Sequence, residues 1–140
     1  MLKTRIVMLH WFLIAFLMGC GSPDGSIAVQ GVVTLDGAPL NEGMIKFQPP
    51  AGEDGSSVTE KVTAGRFQAN LQAGKKLVFI TAEEEIDNPD LSSSGSAKNP
   101  LAPKRIRRSI VPSRYNTKTE LTADVNRENR KLKFELSGQK

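Results

Sequence analysis

The chain has 140 residues, of which 39% are hydrophobic and 24% are charged, and its formal net charge is +4 at pH 7. This length fits one domain with a modest core. The single cysteine excludes an internal disulfide framework, and so small a net charge does not indicate nucleic-acid binding.

Residues 1–19 have the layout of a secretory signal peptide. Lys3 and Arg5 precede an apolar run over residues 6–17, which is broken only by His10. Twelve helical residues span about 18 Å, whereas the hydrocarbon core of a bilayer is about 30 Å thick. The pattern therefore favours a cleaved leader over a retained transmembrane anchor.

The leader ends at Leu17, Met18, Gly19 and Cys20, which together resemble the lipobox of bacterial lipoproteins. Met18 departs from the pattern, because it is bulkier than the usual residue there. The resemblance implies cleavage before Cys20 and a lipid carrying acyl chains such as palmitate on its sulfur. It also implies Sec-type export and a place on a membrane of the cell envelope, facing the periplasm or the surface. Gly21 leaves outer-membrane sorting open, and the alternative is an ordinary cleaved signal with an incidental cysteine.

Cleavage leaves a mature chain that begins with a short tether. The formal net charge falls from +4 to +2, because Lys3 and Arg5 leave with the leader. Residues 20–26 are small and polar apart from Pro23, and we interpret them as a lipidated flexible tether. The folded domain is predicted over residues 27–137.

That domain alternates apolar and polar residues at period two, which predicts strands. Glycine-bearing turns such as Asp36-Gly37, Ala64-Gly65 and Ala73-Gly74 separate them. No segment has a convincing helical period. The predicted strands cover residues 27–35, 44–49, 58–63, 66–72, 76–83, 119–125 and 131–136. Seven short strands at this spacing predict an all-β, antiparallel sandwich of the transthyretin-like or immunoglobulin-like kind.

The strand pattern is interrupted by a long insertion at about residues 84–112, in which we expect no regular strands. Long surface loops are commonly functional or disordered. Its first part is acidic, and the carboxylates from Glu83 to Asp90 suggest a Ca²⁺ site only weakly, because they lack the spacing of a calcium loop. We therefore favour a solvated acidic rim and predict no metal.

The mature chain resembles small bacterial lipoproteins that carry a carboxypeptidase regulatory-like, transthyretin-like domain. The resemblance rests on the segments 29–40 and 43–49, on Ala64-Gly65-Arg66-Phe67, on Ala73-Gly74 and on 111–115. Its glycines, prolines and apolar positions are structural, so it implies the β-sandwich fold and no particular chemistry. The 84–112 insertion and the polar turn 126–129 depart from it.

We do not expect catalysis. The only histidine, His10, lies in the leader, and the only thiol is expected to carry lipid, so Ser-His-Asp, Cys-His and His- or Cys-ligated zinc sites lack their essential residues. The histidines and Tyr-Arg-Gly-Ser tail of the transthyretin-like enzymes are also missing. A histidine-independent hydrolase, acting through a carboxylate of the insertion, is the remaining enzymatic alternative. No cofactor is indicated.

The second part of the insertion is basic and supplies the candidate binding residues: Lys104, Arg105, Arg107 and Arg108, with Lys98 nearby. Cations beside Ile106 and Ile110 suit an anionic surface, an acidic glycan or an envelope protein, while the alternative is a solvated loop. Phe47, Phe67, Phe79 and Phe134 are assigned to the core, and Tyr115 either marks a binding surface or packs where the insertion rejoins the sandwich. The sequence thus predicts a non-catalytic, membrane-anchored binding module, with a structural spacer at the cell surface as the alternative.

Overall fold

A computed structural model describes residues 25–92 and 102–138. The predicted signal peptide, the lipidation site Cys20, most of the tether and Lys98 lie outside the described residues.

The described chain is built from strands, with one helical turn and one 3₁₀ turn. The bounds, in chain order, are β1 (Ile27–Leu35), β2 (Ala38–Pro39), β3 (Glu42–Gln48), β4 (Val58–Thr63), β5 (Arg66–Leu71), β6 (Gly74–Thr81), β7 (Glu83–Asp87), α1 (Pro89–Ser92), β8 (Arg105–Ser109), the 3₁₀ turn (Ser113–Tyr115), β9 (Thr122–Val125) and β10 (Lys131–Leu136).

Seven of these strands form one curled sheet in the order β10-β1-β5-β4-β3-β6-β9, and the short β2 pairs with β1. The β1–β10 pairing is parallel, with Val33 opposite Phe134, and the other pairings are antiparallel. β4 and β5 pair only beside their turn, at Thr63 and Arg66, so the sheet turns a corner there. The predicted all-β, antiparallel sandwich is confirmed, with this one parallel pair.

The core lies between the two halves of the curled sheet. On β1, Ile27, Val29 and Val33 point inward and are buried, while their neighbours are exposed or half-buried. The Phe67 ring of β5 lies 5.7 Å from that of Phe47 on β3 and 6.2 Å from that of Phe134 on β10, measured between centroids. These three rings connect the halves, since β3 belongs to one and β5 and β10 to the other.

The β4–β5 corner depends on a two-residue turn whose residues both have positive φ, 50° at Ala64 and 73° at Gly65. This is the geometry of a type I′ hairpin, which matches the right-handed twist of the strands. A Cβ on Gly65 would lie 2.8 Å from that of Pro39, so the turn also requires a residue without a side chain.

Three expectations need correction. The insertion contains regular strands after all, because β7 and β8 pair with each other as a separate two-stranded sheet. The predicted strand over residues 76–83 ends at Thr81, and β7 begins at Glu83. Phe79 is half-buried on the outer side of β6, where the Lys46 ammonium lies 5.7 Å from its ring centroid, and is therefore not a core residue.

Candidate functional site

The β7–β8 hairpin, called the arm below, is formed from the charged insertion. Its strands pair in the register Glu84 with Arg108 and Ile86 with Ile106, and it continues at its base through a hydrogen bond from the Ile110 N–H to the Ala82 carbonyl, 3.0 Å long. Of the five directly opposed pairs, three join an acidic residue to an arginine. Opposite charges across strands favour pairing, which explains why so polar a segment forms a ribbon.

Three carboxylates of β7 contact two of the arginines of β8. Arg105 lies 3.2 Å from Glu85 Oε2 and 3.8 Å from Asp87 Oδ1, and Arg108 pairs with Glu84 Oε1. All these side chains are substantially exposed, and exposed ion pairs contribute only about 0–1 kcal/mol each. Their main effect is to set the charge pattern that the arm presents to solvent.

The four predicted binding residues are therefore not equivalent. Arg105 and Arg108 are neutralised by carboxylates, whereas Lys104 and Arg107 make no ion pair with another described residue. The acidic residues considered for Ca²⁺ mostly face arginines. No group of three or more His, Cys, Asp or Glu side chains in residues 25–92 and 102–138 is placed to hold a metal ion.

The outer end of the arm is closed by Asn88, which is buried. Its side-chain amide donates to the Pro103 carbonyl at 3.0 Å, and its backbone N–H donates to the Lys104 carbonyl at 2.8 Å. These bonds hold the two strands together at the end of the arm opposite its base.

A polar groove of about 800 Å³ lies where the base of the arm meets the sandwich, and we call it the distal groove. Leu35, Asp36 and Gly138 line it from the ends of β1 and β10, while Glu84 and Arg108 line it from the arm. Volumes of this order hold small ligands or short segments of a partner. The groove brings Arg108 together with residues that the sequence did not single out, namely Asp36, Ser109, Ser113 and Asn116.

No protein-family model matches this chain, and no curated protein or solved structure matches it significantly. Within the described residues, no helix is long and apolar enough to cross a membrane. The function of the arm and the distal groove is therefore inferred from the residues that form them.

One wall of the distal groove is fixed by a clamp on the segment that follows β10. The Ser137 N–H donates to the Tyr115 hydroxyl at 3.1 Å, and Arg114 donates to the carbonyls of Ser137 and Gly138. The Gly138 N–H donates to Asp36 Oδ1 at 2.8 Å. Every peptide group of this segment that lines the groove thus has a partner, so the wall is pre-organised. Tyr115 packs against the core where the insertion rejoins the sandwich, as one of the two predicted alternatives stated.

The clamp changes the ionisation of Tyr115. The hydrogen bond from the Ser137 backbone and the bond to Arg114 lower the pKa of the phenol from its ordinary value of 10.0, and partial burial opposes this only in part. Because the folded-state pKa is the lower one, the fold gains stability from the phenolate as the pH rises toward 10.0, and this gain is absent at neutral pH.

We expect Arg114→Ala to raise the pKa of Tyr115 toward 10.0, because it removes the charged donor to the phenol. We also expect a modest loss of stability, because the Arg114 guanidinium carbon lies 4.8 Å from the centroid of the Tyr115 ring and this contact is lost. Tyr115 is the only tyrosine in the chain, so the ultraviolet absorbance of the phenolate reports on it alone. Lys118→Ala is the matched control, because it removes a charge four residues away. An unchanged titration in Arg114→Ala would contradict the clamp.

Proposed function

We propose that this protein is a non-catalytic lipoprotein of the bacterial cell envelope. In this proposal the lipid on Cys20 holds it on a membrane, and the sandwich presents the arm and the distal groove to a protein partner. The leader sequence and its Cys20 support the anchoring. The all-β fold supports a module of the carboxypeptidase regulatory-like, transthyretin-like kind.

The observation that carries the proposal is that Ile27, where the domain follows the tether in the chain, and the base of the arm lie at opposite ends of the sandwich. β1 starts at Ile27, directly after the tether, and ends at Leu35, which lines the distal groove. Nine strand residues at about 3.3 Å per residue separate these ends by about 26 Å. A molecule anchored through Cys20 therefore holds its arm away from the membrane, where another envelope component can reach it.

The chemistry of the arm favours a protein over a simple polyanion. Both signs of charge alternate across it, and Ile86 and Ile106 form a half-buried apolar pair between them. A polyanion would meet the carboxylates of Glu83, Glu85 and Asp87 beside the arginines. A partner surface with its own mixed charges and an apolar centre complements this pattern better.

The test is chemical cross-linking and co-purification from intact cells, read by mass spectrometry. We expect a reproducible partner with the native chain and its loss when Lys104, Arg105, Arg107 and Arg108 are all replaced by alanine. The matched control replaces Lys61, Lys75, Lys118 and Arg127, which are exposed cations elsewhere, and changes the net charge equally.

A second test variant exchanges the two members of one ion pair, Glu84→Arg with Arg108→Glu. The ion pair across the arm is kept, but the positions of its positive and negative charges are reversed. We expect this variant to fold and to lose the partner. If every variant captures the same abundant envelope proteins as the native chain, the binding role is wrong and the structural spacer becomes the better account.

A further inference from the structure

A second charged surface lies on the outer side of β5, β1 and β10, and we call it the basic face. Its cross-strand rows follow from the register: Arg66, Val32 and Lys133 form one row, and Gln68, Gln30 and Lys131 form the next. All six residues are exposed. With strands about 4.8 Å apart, Arg66 and Lys133 lie about 10 Å from each other at their Cα atoms.

Most cations of this face lack an acidic partner. Among the described residues, Arg66, Lys131 and the adjoining Arg130 make no ion pair, and only Lys133 does, with Glu135 at 2.8 Å. The arm shows the opposite arrangement, because two of its arginines are already neutralised. Unpaired cations are thus found on the sandwich as well as at Lys104 and Arg107 of the arm, and those of the basic face have, in the described part of the chain, no run of carboxylates like that of β7 beside them.

The face also has the shape and hydrogen-bonding groups of a binding surface. Two shallow hollows of about 490 and 430 Å³ share Gln30, Gln68 and Lys131, so they adjoin each other along the two rows. The larger hollow is also lined by the cation Arg130, the carboxylate Glu60 and a third amide, Asn70. Each amide offers both donors and an acceptor. A ligand with hydroxyl groups needs both donors and acceptors on the protein surface. A ligand that carries only negative charges needs only cations.

We propose that the basic face binds an acidic polysaccharide that carries carboxylate groups. The carboxylates would lie against Arg66, Lys131 and Lys133, and the sugar hydroxyls would bond to the amides between them. No aromatic side chain lies among the exposed residues of the two rows, which disfavours single-stranded nucleic acid, since it binds largely by base stacking. Anionic lipid headgroups would pair with the same cations, and a comparison with phosphatidylglycerol vesicles distinguishes the two ligands.

The proposal is tested with purified full-length protein and immobilised polygalacturonate, a polymer of an acidic sugar. We expect salt-sensitive binding, and no binding to dextran, which is neutral. Replacing Arg66, Lys131 and Lys133 by alanine should weaken binding about tenfold, the effect of losing three exposed charge pairs. The charge-matched control replaces Lys61, Lys75 and Lys118 and should bind within about twofold of the native protein.

Variants of the amides distinguish binding at a specific site from general electrostatic attraction, because they leave the charge of the face unchanged. Gln30→Ala with Gln68→Ala leaves the net charge unchanged, and we expect it to weaken binding about fivefold. Any of three results would overturn the proposal. The charge-matched control could lose as much polygalacturonate binding as the triple variant, or the triple variant or the amide variant could bind as tightly as the native protein. Tighter binding to phosphatidylglycerol vesicles than to polygalacturonate would replace it with a membrane-binding face.

This face is separate from the arm, so the two proposals fail independently. Variants of the basic face are expected to retain the protein partner captured through the arm, and arm variants are expected to retain polygalacturonate binding.

Discussion

Gly31→Ala is expected to destabilise the domain by about 3 kcal/mol, at the upper end of the usual range for overpacking a core. A Cβ at this position would lie 2.5 Å from Cζ of Phe67 and 2.5 Å from the Leu132 carbonyl oxygen. Neither neighbour can move easily, because the Phe67 ring packs between Phe47 and Phe134, and the carbonyl belongs to the backbone of β10. Urea denaturation followed by circular dichroism gives the change in the free energy of unfolding.

Two further variants separate the causes of this loss. Val32→Ala changes the exposed neighbour and should alter the stability by less than about 0.5 kcal/mol. Phe67→Leu combined with Gly31→Ala makes room for the new methyl group, so we expect the two changes to cost less together than the sum of each alone. A Gly31→Ala protein as stable as the native one would show that β1, β5 and β10 do not pack as described.

Cys20→Ser is expected to move the protein from the membrane fraction to the soluble fraction of the envelope or the medium. A serine hydroxyl cannot form the thioether, and each lost acyl CH₂ removes about 0.8 kcal/mol of membrane affinity, so the loss of several chains should be nearly complete. Immunoblots of fractionated cells measure the distribution. Ser22→Ala, two residues away, is the control and should stay on the membrane. Retention of the Cys20→Ser protein in the membrane fraction would contradict lipid anchoring.

The strands of the sandwich were predictable because each buries one face. Six residues are buried, and their neighbours on the strands are exposed or half-buried: Ile27, Val29 and Val33 on β1, and Leu132, Phe134 and Leu136 on β10. Alternation at period two along the sequence predicts which face of a strand is buried. Pairing partners were not predictable, and the parallel contact of β1 with β10 depends on how the chain curls.

The arm was missed because its strands carry no apolar alternation. β7 and β8 contain one apolar residue each, Ile86 and Ile106, and are otherwise charged or polar. The usable signal was the charge complementarity of the two segments, an acidic run followed by a basic run that can pair antiparallel. Phe79 was misassigned for a related reason: four consecutive apolar residues on β6 suggested burial on both sides, but only the side carrying Val78 and Ile80 faces the core.

The candidate sites depend on register, which the sequence does not state. Arg66, Val32 and Lys133 are separated along the chain and become one row only through the pairing of β5, β1 and β10. In the same way, Asp36 meets Gly138 across the distal end, 102 residues apart in the chain. The clustered cations of residues 104–108 were conspicuous in the sequence, yet the fold brings carboxylates to two of them, Arg105 and Arg108.

The central claim is that the arm contacts a partner in the cell envelope, and in-cell photo-cross-linking tests it most directly. A photoreactive residue is placed at Arg107 on the arm and, as the control, at Thr59 on the outer side of β4, both of them exposed. We predict a discrete adduct from position 107, identified by mass spectrometry, and none from position 59. The same adducts from both positions, or none from position 107 while the protein is folded and on the membrane, would contradict the account.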